Sequence, residues 1–182
     1  MKKIILSNNT NIIDECQFNY RSKDHDLEEI VIPISVNYIG TSAFHECTKL
    51  TSIDLPSSIC HVGDNAFEDC TSLKSVKWSW NAKVIGEDVF HNCESLEEIY
   101  IPSGVRIIEA FAFSKCKSLT NIILPETIRY IDKYAFHKCT SLHTINIKHS
   151  NHENDVAKFV HDCIINCQLA TELLFDDEGF YF

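Results

Sequence analysis

The chain has 182 residues, 45% of them hydrophobic and 23% charged, which is enough to bury one sizeable core. Its formal net charge is −10, from 26 acidic and 16 basic residues. This balance argues against nucleic acid or an anionic membrane surface as the main partner, because both require a basic surface. No segment approaches the roughly 18 continuous apolar residues of a membrane-spanning helix, so we expect no membrane insertion.

The N-terminus carries two lysines, followed by a short apolar run at residues 4–6. A signal peptide needs an apolar segment of about 7–15 residues. We therefore expect a cytoplasmic protein. A cell-surface location is the alternative if an export segment has been removed.

Residues 1–26 are predicted to form an irregular N-terminal repeat or cap. Ile13 and Phe18 precede clear counterparts, Ile39 and Phe44, by 26 residues, whereas the later copies recur every 23 residues. The three extra residues fall in the polar stretch 21–26. An atypical first copy is expected, because terminal repeats cap the core of a repeat protein.

Residues 27–148 are predicted to be regular 23-residue repeats. In five in-phase copies a phenylalanine is followed three residues later by a cysteine, and three residues after that by a leucine. The phenylalanines are Phe44, Phe67, Phe90, Phe113 and Phe136, and the cysteines are Cys47, Cys70, Cys93, Cys116 and Cys139. Five copies without an insertion indicate a stacked repeat architecture.

Each repeat predicts one coil of a solenoid. Ile53 and Leu55 alternate at the period of a strand, and Pro56 ends that strand because it has no N–H to donate. Gly63 suits a backbone position with positive φ. The apolar residues spaced by three around Phe67 then predict a short 3₁₀ or α turn. The expected fold class is α/β, with a parallel β-sheet on one face of the solenoid and helical turns on the other.

The segment from residue 32 to residue 147 resembles the BspA-like leucine-rich repeats. Residues 50–70, LTSIDLPSSICHVGDNAFEDC, reproduce the pattern LxxIxLPxxVxxIGxxAFxxC of that family. The resemblance implies a leucine-rich-repeat solenoid. It also implies a role in adhesion or protein binding, often in exported proteins.

Residues 149–182 are predicted to form a C-terminal capping helix and a tail. Apolar residues recur there at the spacing of one helix face, and they are Val156, Phe159, Val160, Cys163, Ile164 and Cys167. Leu169, Leu173 and Leu174 are expected to extend this pattern. We interpret the helix as a cap over the last open coil, with a partner-binding helix as the alternative. The aromatic tail is a candidate for self-association.

The cysteines and histidines that recur in the repeat are predicted to have structural rather than catalytic roles. Equivalent cysteines in stacked coils point the same way, so they do not converge on a disulfide or a metal ion. His45, His91 and His137 are two coils apart, about 10 Å, which is too far to share one ion. The chain contains no nucleophile, phosphate-loop or dinucleotide motif. We therefore predict no enzyme activity, no metal and no cofactor.

The predicted binding surface is the outward face of the sheet. One outward column contains Val31, Asp54, Lys77, Tyr100, Ile123 and Asn146. Glu98 lies in the neighbouring column, and Trp80 follows the strand that ends at Trp78. Trp80 is either a binding residue or packs beside Trp78 in place of the missing proline. Protein interfaces favour such mixtures of aromatic, apolar and charged residues.

Three functions remain open from the sequence. The leading one is a non-catalytic scaffold that binds a protein partner on the sheet face. The second is an exported adhesin-type protein that binds a host protein or glycan. The third is a structural homo-oligomer joined through the sheet edge or the aromatic tail.

Overall fold

A computed structural model describes residues 2–24 and 26–147 and the backbone of residues 172–175. This part of the chain is a parallel β-solenoid of about six turns with the leucine-rich-repeat fold. The first strand row consists of β1 (Lys3–Ile5), β3 (Glu29–Val31), β5 (Ser52–Asp54), β7 (Ser75–Lys77), β9 (Glu98–Tyr100), β11 (Asn121–Leu124), β13 (Thr144–Ile147) and β14 (Glu172–Phe175). The second strand row consists of β2 (Ile12–Ile13), β4 (Tyr38–Ile39), β6 (His61–Val62), β8 (Val84–Ile85), β10 (Ile107–Ile108) and β12 (Tyr130–Ile131).

Both strand rows are stacked in the register of the repeat. Ser52 lies opposite Ser75, and Ser75 lies opposite Glu98, so neighbouring strands are offset by 23 residues. At the N-terminal end, β1 pairs with β3 and β2 pairs with β4 at an offset of 26. The three extra residues therefore do not disturb the pairing of equivalent strands.

The predicted α/β class is wrong for the described residues, because they contain no helix. The segment that follows each second-row strand is a series of turns. Ser42 (φ 54°) and Glu46 (φ 58°) have left-handed backbone conformations, which interrupt a helix. The next two coils repeat this at residues 65 and 69 and at residues 88 and 92.

These turns bond to the neighbouring coil as well as to themselves. The amide of His45 donates to the carbonyl of Ser42 within the coil, at 3.1 Å. The amides of Phe44 and Glu46 instead donate to carbonyls of Ala66 and Glu68 in the next coil, both at 2.8 Å. An α-helix would use these amides internally. We call this set of inter-coil bonds, at residues 42–46 and their equivalents, the turn ladder.

The C-terminal region differs from its prediction where it is described. Residues 172–175 form β14, which pairs in parallel with β13 so that Leu173 lies opposite Ile145. The prediction that a helix extends through Leu173 and Leu174 is therefore wrong. A strand is favoured here because the open edge of β13 presents unpaired N–H and C=O groups. The predicted capping helix at residues 156–167 lies outside the described residues.

A column of stacked phenylalanines runs through the core. Six rings, one from each coil, lie with neighbouring centroids 5.1–5.5 Å apart and interplanar angles of 5–16°. They are Phe18, Phe44, Phe67, Phe90, Phe113 and Phe136, and all are buried. Stacked aromatic pairs contribute about 0.5–1.5 kcal/mol beyond the area they bury. Phe18 thus ties the irregular first repeat to the regular coils.

The core cysteines add a second set of contacts between coils. The thiol of Cys93 donates to the backbone carbonyl of Phe67 in the preceding coil, at 3.1 Å. Equivalent bonds of 2.9–3.3 Å are made by Cys47, Cys70, Cys116 and Cys139. The cysteine is therefore more than a small apolar residue, because its thiol satisfies a buried carbonyl.

The glycine after the second strand is required for close packing rather than for a left-handed backbone. A Cβ at Gly63 would lie 2.5 Å from the backbone nitrogen of Thr41 in the preceding coil. At Gly86 the nearest atom is instead the Oδ1 of Asp64, on a side chain that is able to move. The prediction of a positive φ at Gly63 is wrong, since this residue does not have one.

We predict that Gly63→Ala lowers the free energy of unfolding by about 1–3 kcal/mol, because two backbones are forced apart. Gly86→Ala is the matched control and should cost clearly less, since only a side chain must rotate. Denaturant unfolding of the two variants measures the difference. Equal losses would show that close backbone packing is not the reason for the glycine.

The buried thiols also predict how stability depends on pH. Burial raises the pKa of Cys93 well above its ordinary value of 9.0, and it raises that of Cys47 to about 12. The contribution of these thiols to the free energy of unfolding is complete below pH 9. It is lost as the pH rises toward their pKa values in the folded protein. Above pH 9 the free energy of unfolding should therefore fall more steeply for the unsubstituted protein than for Cys93→Ala. The difference between the two slopes should be about 1.4 kcal/mol per pH unit. Denaturant unfolding between pH 8 and pH 11 tests this, with the exposed Cys60→Ala as control. Identical slopes for Cys93→Ala and the parent would refute it.

Candidate functional site

The outward column of the first strand row has the predicted register. Asp54, Lys77 and Tyr100 lie side by side on β5, β7 and β9. Ile123 lies opposite Asn146 on β11 and β13. Asp54, Lys77, Tyr100 and Ile123 are exposed, because alternate residues such as Val76 fill the inward face.

A shallow groove lies on this face between β5 and β9. It has a volume of about 260 Å³, and we call it the sheet-face groove. Its outward lining consists of Ser52, Asp54, Ser75, Lys77, Glu98 and Tyr100. The two serines make it a depression, since they are the smallest side chains in their column.

One edge of the sheet-face groove is charged. The Nζ of Lys77 lies 3.2 Å from the Oδ2 of Asp54, and both side chains are more than half exposed. An exposed pair of this kind contributes little to stability, typically less than about 1 kcal/mol. Breaking the contact between Lys77 and Asp54 therefore costs little.

An aromatic pair stands at the other end of the sheet-face groove. Trp80 and Tyr100 are 49% and 48% exposed, and their ring centroids are 6.1 Å apart at an interplanar angle of 53°. Trp80 does not replace the missing proline. Ser79 holds that position, where its buried hydroxyl donates to the carbonyl of Ile59 at 2.6 Å.

Trp78 has the opposite environment from Trp80. Its indole is fully buried, lies edge-on to Phe90 with centroids 5.7 Å apart, and donates from Nε1 to the carbonyl of Ala82 at 3.2 Å. Gly104 in the next coil makes room for the neighbouring backbone, because a Cβ there would overlap the carbonyl oxygen of Trp80. The Trp80 backbone thus packs closely against the next coil, while its ring is exposed.

The structure groups some predicted site residues and separates others. Asp54, Lys77, Glu98 and Tyr100 line the sheet-face groove, and Trp80 packs on Tyr100. The remaining predicted residues, Val31, Ile123 and Asn146, belong to the same outward column but lie outside the groove lining.

Sequence reasoning missed an exposed column on the second strand row. Ile12, Tyr38 and Tyr130 are exposed there, and Tyr38 stacks on His61 with ring centroids 4.8 Å apart. The sequence feature that marks this column is the residue directly before each inward β-branched residue of the second strand row. Strands of two residues are too short for that alternation to be recognised as a period.

The described cysteines offer no activated nucleophile beside the groove. The thiols of Cys70 and Cys116 have pKa values raised well above the ordinary 9.0 by burial, which keeps them protonated near neutral pH. The exposed Cys60 thiol donates to the Ser58 carbonyl at 3.4 Å. Its neighbour His61 stacks on Tyr38 instead of pairing with the thiol.

The repeat, its coil geometry and its core identify the family. A family profile described as "BspA type Leucine rich repeat region (6 copies)" matches residues 1–93 and 61–177. The chain belongs to the BspA-type leucine-rich-repeat family. The matched ranges include the irregular first repeat, and they confirm the resemblance of the 23-residue motif.

Solved bacterial leucine-rich-repeat structures are similar to this BspA-type chain. A leucine-rich-repeat protein of T. pallidum is 29% identical with a TM-score of 0.63, over 78% of this chain and 64% of that one. One from Bacteroides ovatus is 23% identical with a TM-score of 0.66, over 97% and 54%. A leucine-rich cell surface protein from Faecalibacterium prausnitzii is 20% identical with a TM-score of 0.58, over 86% and 62%. This BspA-type chain thus spans about half to two thirds of the length of these proteins.

No curated protein matches the BspA-type chain. Among the described residues, no helix is long and apolar enough to span a membrane.

Removal of the two tryptophan side chains of this BspA-type chain should change the free energy of unfolding by very different amounts. Trp78→Ala should lower the free energy of unfolding by about 3–5 kcal/mol, because it leaves a cavity in the core. Trp80→Ala should change it by less than about 0.5 kcal/mol, as expected for an exposed side chain. Denaturant unfolding measures both. A large loss for Trp80→Ala would place its ring in the core rather than on the surface.

Proposed function

We propose that the chain is a non-catalytic protein-interaction scaffold that binds a protein partner through the sheet-face groove and the Trp80–Tyr100 pair. The observation that carries this proposal is an exposed aromatic pair beside a charged pair on a stacked parallel sheet. Leucine-rich-repeat scaffolds are typical of protein-interaction proteins, and the family is generally non-catalytic.

The groove residues favour a protein partner on physical grounds. Tryptophan and tyrosine dominate the energetics of protein interfaces, because each buries a large area at low entropic cost. Lys77, Asp54 and Glu98 supply charges of both signs around these rings. Such a mixed rim suits a protein surface better than a uniformly charged polymer.

The proposed contact extends beyond the groove along the same column. Val31 and Ile123 are exposed apolar residues of the outward column, and Asn146 follows Ile123 on the next strand. The solenoid holds these side chains at the constant spacing of its coils. We propose that they form the outer part of the interface.

Photo-crosslinking tests the location of the interface. A photoreactive phenylalanine analogue replaces Tyr100 in the groove or, as the matched control, Tyr38 on the second strand row, which is also exposed. Crosslinking is done in the cells that produce the protein. We expect discrete adducts of one partner from position 100 and none from position 38.

The binding energetics then test the named side chains. Tyr100→Ala and Trp80→Ala should each weaken the affinity for the crosslinked partner by about 30-fold or more, as expected for an interface hot spot. Tyr38→Ala should leave the affinity unchanged. Adducts from position 38 alone, or unchanged affinity in both groove variants, would contradict the proposal.

A surface adhesin is the second candidate. What favours it is the likeness to the Faecalibacterium prausnitzii cell surface protein. The two candidates differ in where the groove is exposed: an adhesin presents it outside the cell, and the leading proposal places the scaffold in the cytoplasm. Protease treatment of intact producing cells distinguishes them, since only a surface protein is cleaved while a cytoplasmic marker survives.

A further inference from the structure

Three metal-ligating side chains come together on the turn ladder, away from the sheet-face groove. They are His45 and Glu46 in one coil and Asp69 in the next, and one ligand atom from each lies within 4.8 Å of the others. Asp69 occupies the repeat position of Glu46, so stacking places the two carboxylates side by side. The His45 side chain is only 19% exposed.

The same position two coils further on holds a cation supplied by the chain. There His91 replaces His45, and Lys115 replaces Asp69. The Nζ of Lys115 lies 3.2 Å from the Nε2 of His91. At the His45 copy, no lysine or arginine among the described residues forms an ion pair with Glu46 or Asp69. Two neighbouring carboxylates remain there without a lysine or arginine partner from the described part of the chain, and like charges side by side are unfavourable.

Surrounding side chains orient the histidine. The Nδ1 of His45 is buried and lies 3.1 Å from the Oε2 of Glu68, close enough for an electrostatic contact but not aligned as a hydrogen bond. Asn65 holds this Glu68 oxygen with a 2.9 Å bond from its Nδ2. In metal sites the second ring nitrogen of a histidine usually faces a carboxylate, and Glu68 occupies that place beside His45. The Nε2 is then directed toward Glu46.

The distance between His45 and Glu46 suits a shared small ion. The Nε2 of His45 lies 3.4 Å from the Oε1 of Glu46. In a tetrahedral site with bonds of about 2.1 Å, neighbouring ligand atoms are about 3.4 Å apart. Asp69 is fixed by a 2.6 Å bond from the Nδ2 of Asn92 to its Oδ1. A carboxylate oxygen of Asp69 lies within 4.8 Å of the other two ligand atoms, so a shared ion requires a shift of this side chain.

We propose that His45, Glu46 and Asp69 bind a divalent first-row transition-metal ion such as Zn²⁺. One imidazole with two carboxylates suits this class of ion, whereas Mg²⁺ and Ca²⁺ prefer oxygen ligands alone. The ion neutralises the stacked carboxylates and joins two successive coils. It therefore stabilises the folded chain in proportion to its occupancy.

Zinc titration of the full chain tests the site. The parent for this experiment carries Cys16, Cys60, Cys163 and Cys167 changed to serine, because these four cysteines are not among the five repeated ones and free thiols compete for zinc. Calorimetry with ZnCl₂ counts the sites, and thermal unfolding with and without zinc gives an independent readout.

Three variants in that parent distinguish the outcomes. His45→Ala and Asp69→Lys should each lose one zinc site, or bind zinc at least tenfold more weakly, and lose the zinc-induced rise in Tm. His91→Ala should keep both. Asp69→Lys should fold without zinc, because Lys115 and Lys138 already occupy this repeat position with the same left-handed backbone.

The proposal is overturned if Asp69→Lys retains every zinc site of the parent with unchanged affinity. It is also overturned if His91→Ala loses zinc as His45→Ala does. Asp69→Lys decides the question should His45→Ala fail to fold. None of these variants touches the sheet-face groove, so the result is independent of the proposed partner binding.

Discussion

The structure depends on contact between equivalent positions in successive coils. The phenylalanine column, the thiol–carbonyl bonds and the turn ladder all join one coil to the next. A single coil has no second layer against which to bury Phe67 or Cys93, so it has no stable fold alone. The constant period of 23 follows from this requirement, because an extra residue inside a column would displace every later side chain. The extra residues are tolerated because they fall between Phe18 and Leu27, where residues 21–24 and 26 form turns outside the columns.

The same stacking determines what the surface is able to do. Side chains at outward positions do not pack in the core, so they vary from coil to coil. They therefore place different chemical groups at the fixed spacing of the coils. Ser52 and Ser75 form a depression beside Tyr100. On the turn ladder, one repeat position carries Lys115 beside His91 and Asp69 near His45, so the His45 copy has a carboxylate where the His91 copy has a cation. Both candidate sites are therefore departures from the average repeat.

The sequence predicted features that depend on local period and on exact repetition. Alternation at period two placed Tyr100 outward and Val76 inward, and the common interval of 23 placed Phe67 above Phe90. Features that depend on long-range contact were missed. Spacing by three around Phe44 is compatible with a helical turn, and the left-handed backbone of Ser42 and Glu46 leaves no mark in a sequence without glycine there. Gly63 is explained only by Thr41, 22 residues earlier. The His45 cluster was missed because each histidine was compared with other histidines rather than with the carboxylates of the adjacent coil.

A double-mutant cycle on the phenylalanine column tests most directly whether stability resides in contacts between neighbouring coils. Phe67→Leu and Phe90→Leu, alone and combined, give the coupling between adjacent rings, and Phe44→Leu with Phe113→Leu gives it for rings separated by two others. We expect a coupling of about 0.5–1.5 kcal/mol for the adjacent pair, and less than about 0.5 kcal/mol for the distant pair. Equal coupling in both pairs, or none between Phe67 and Phe90, would contradict it.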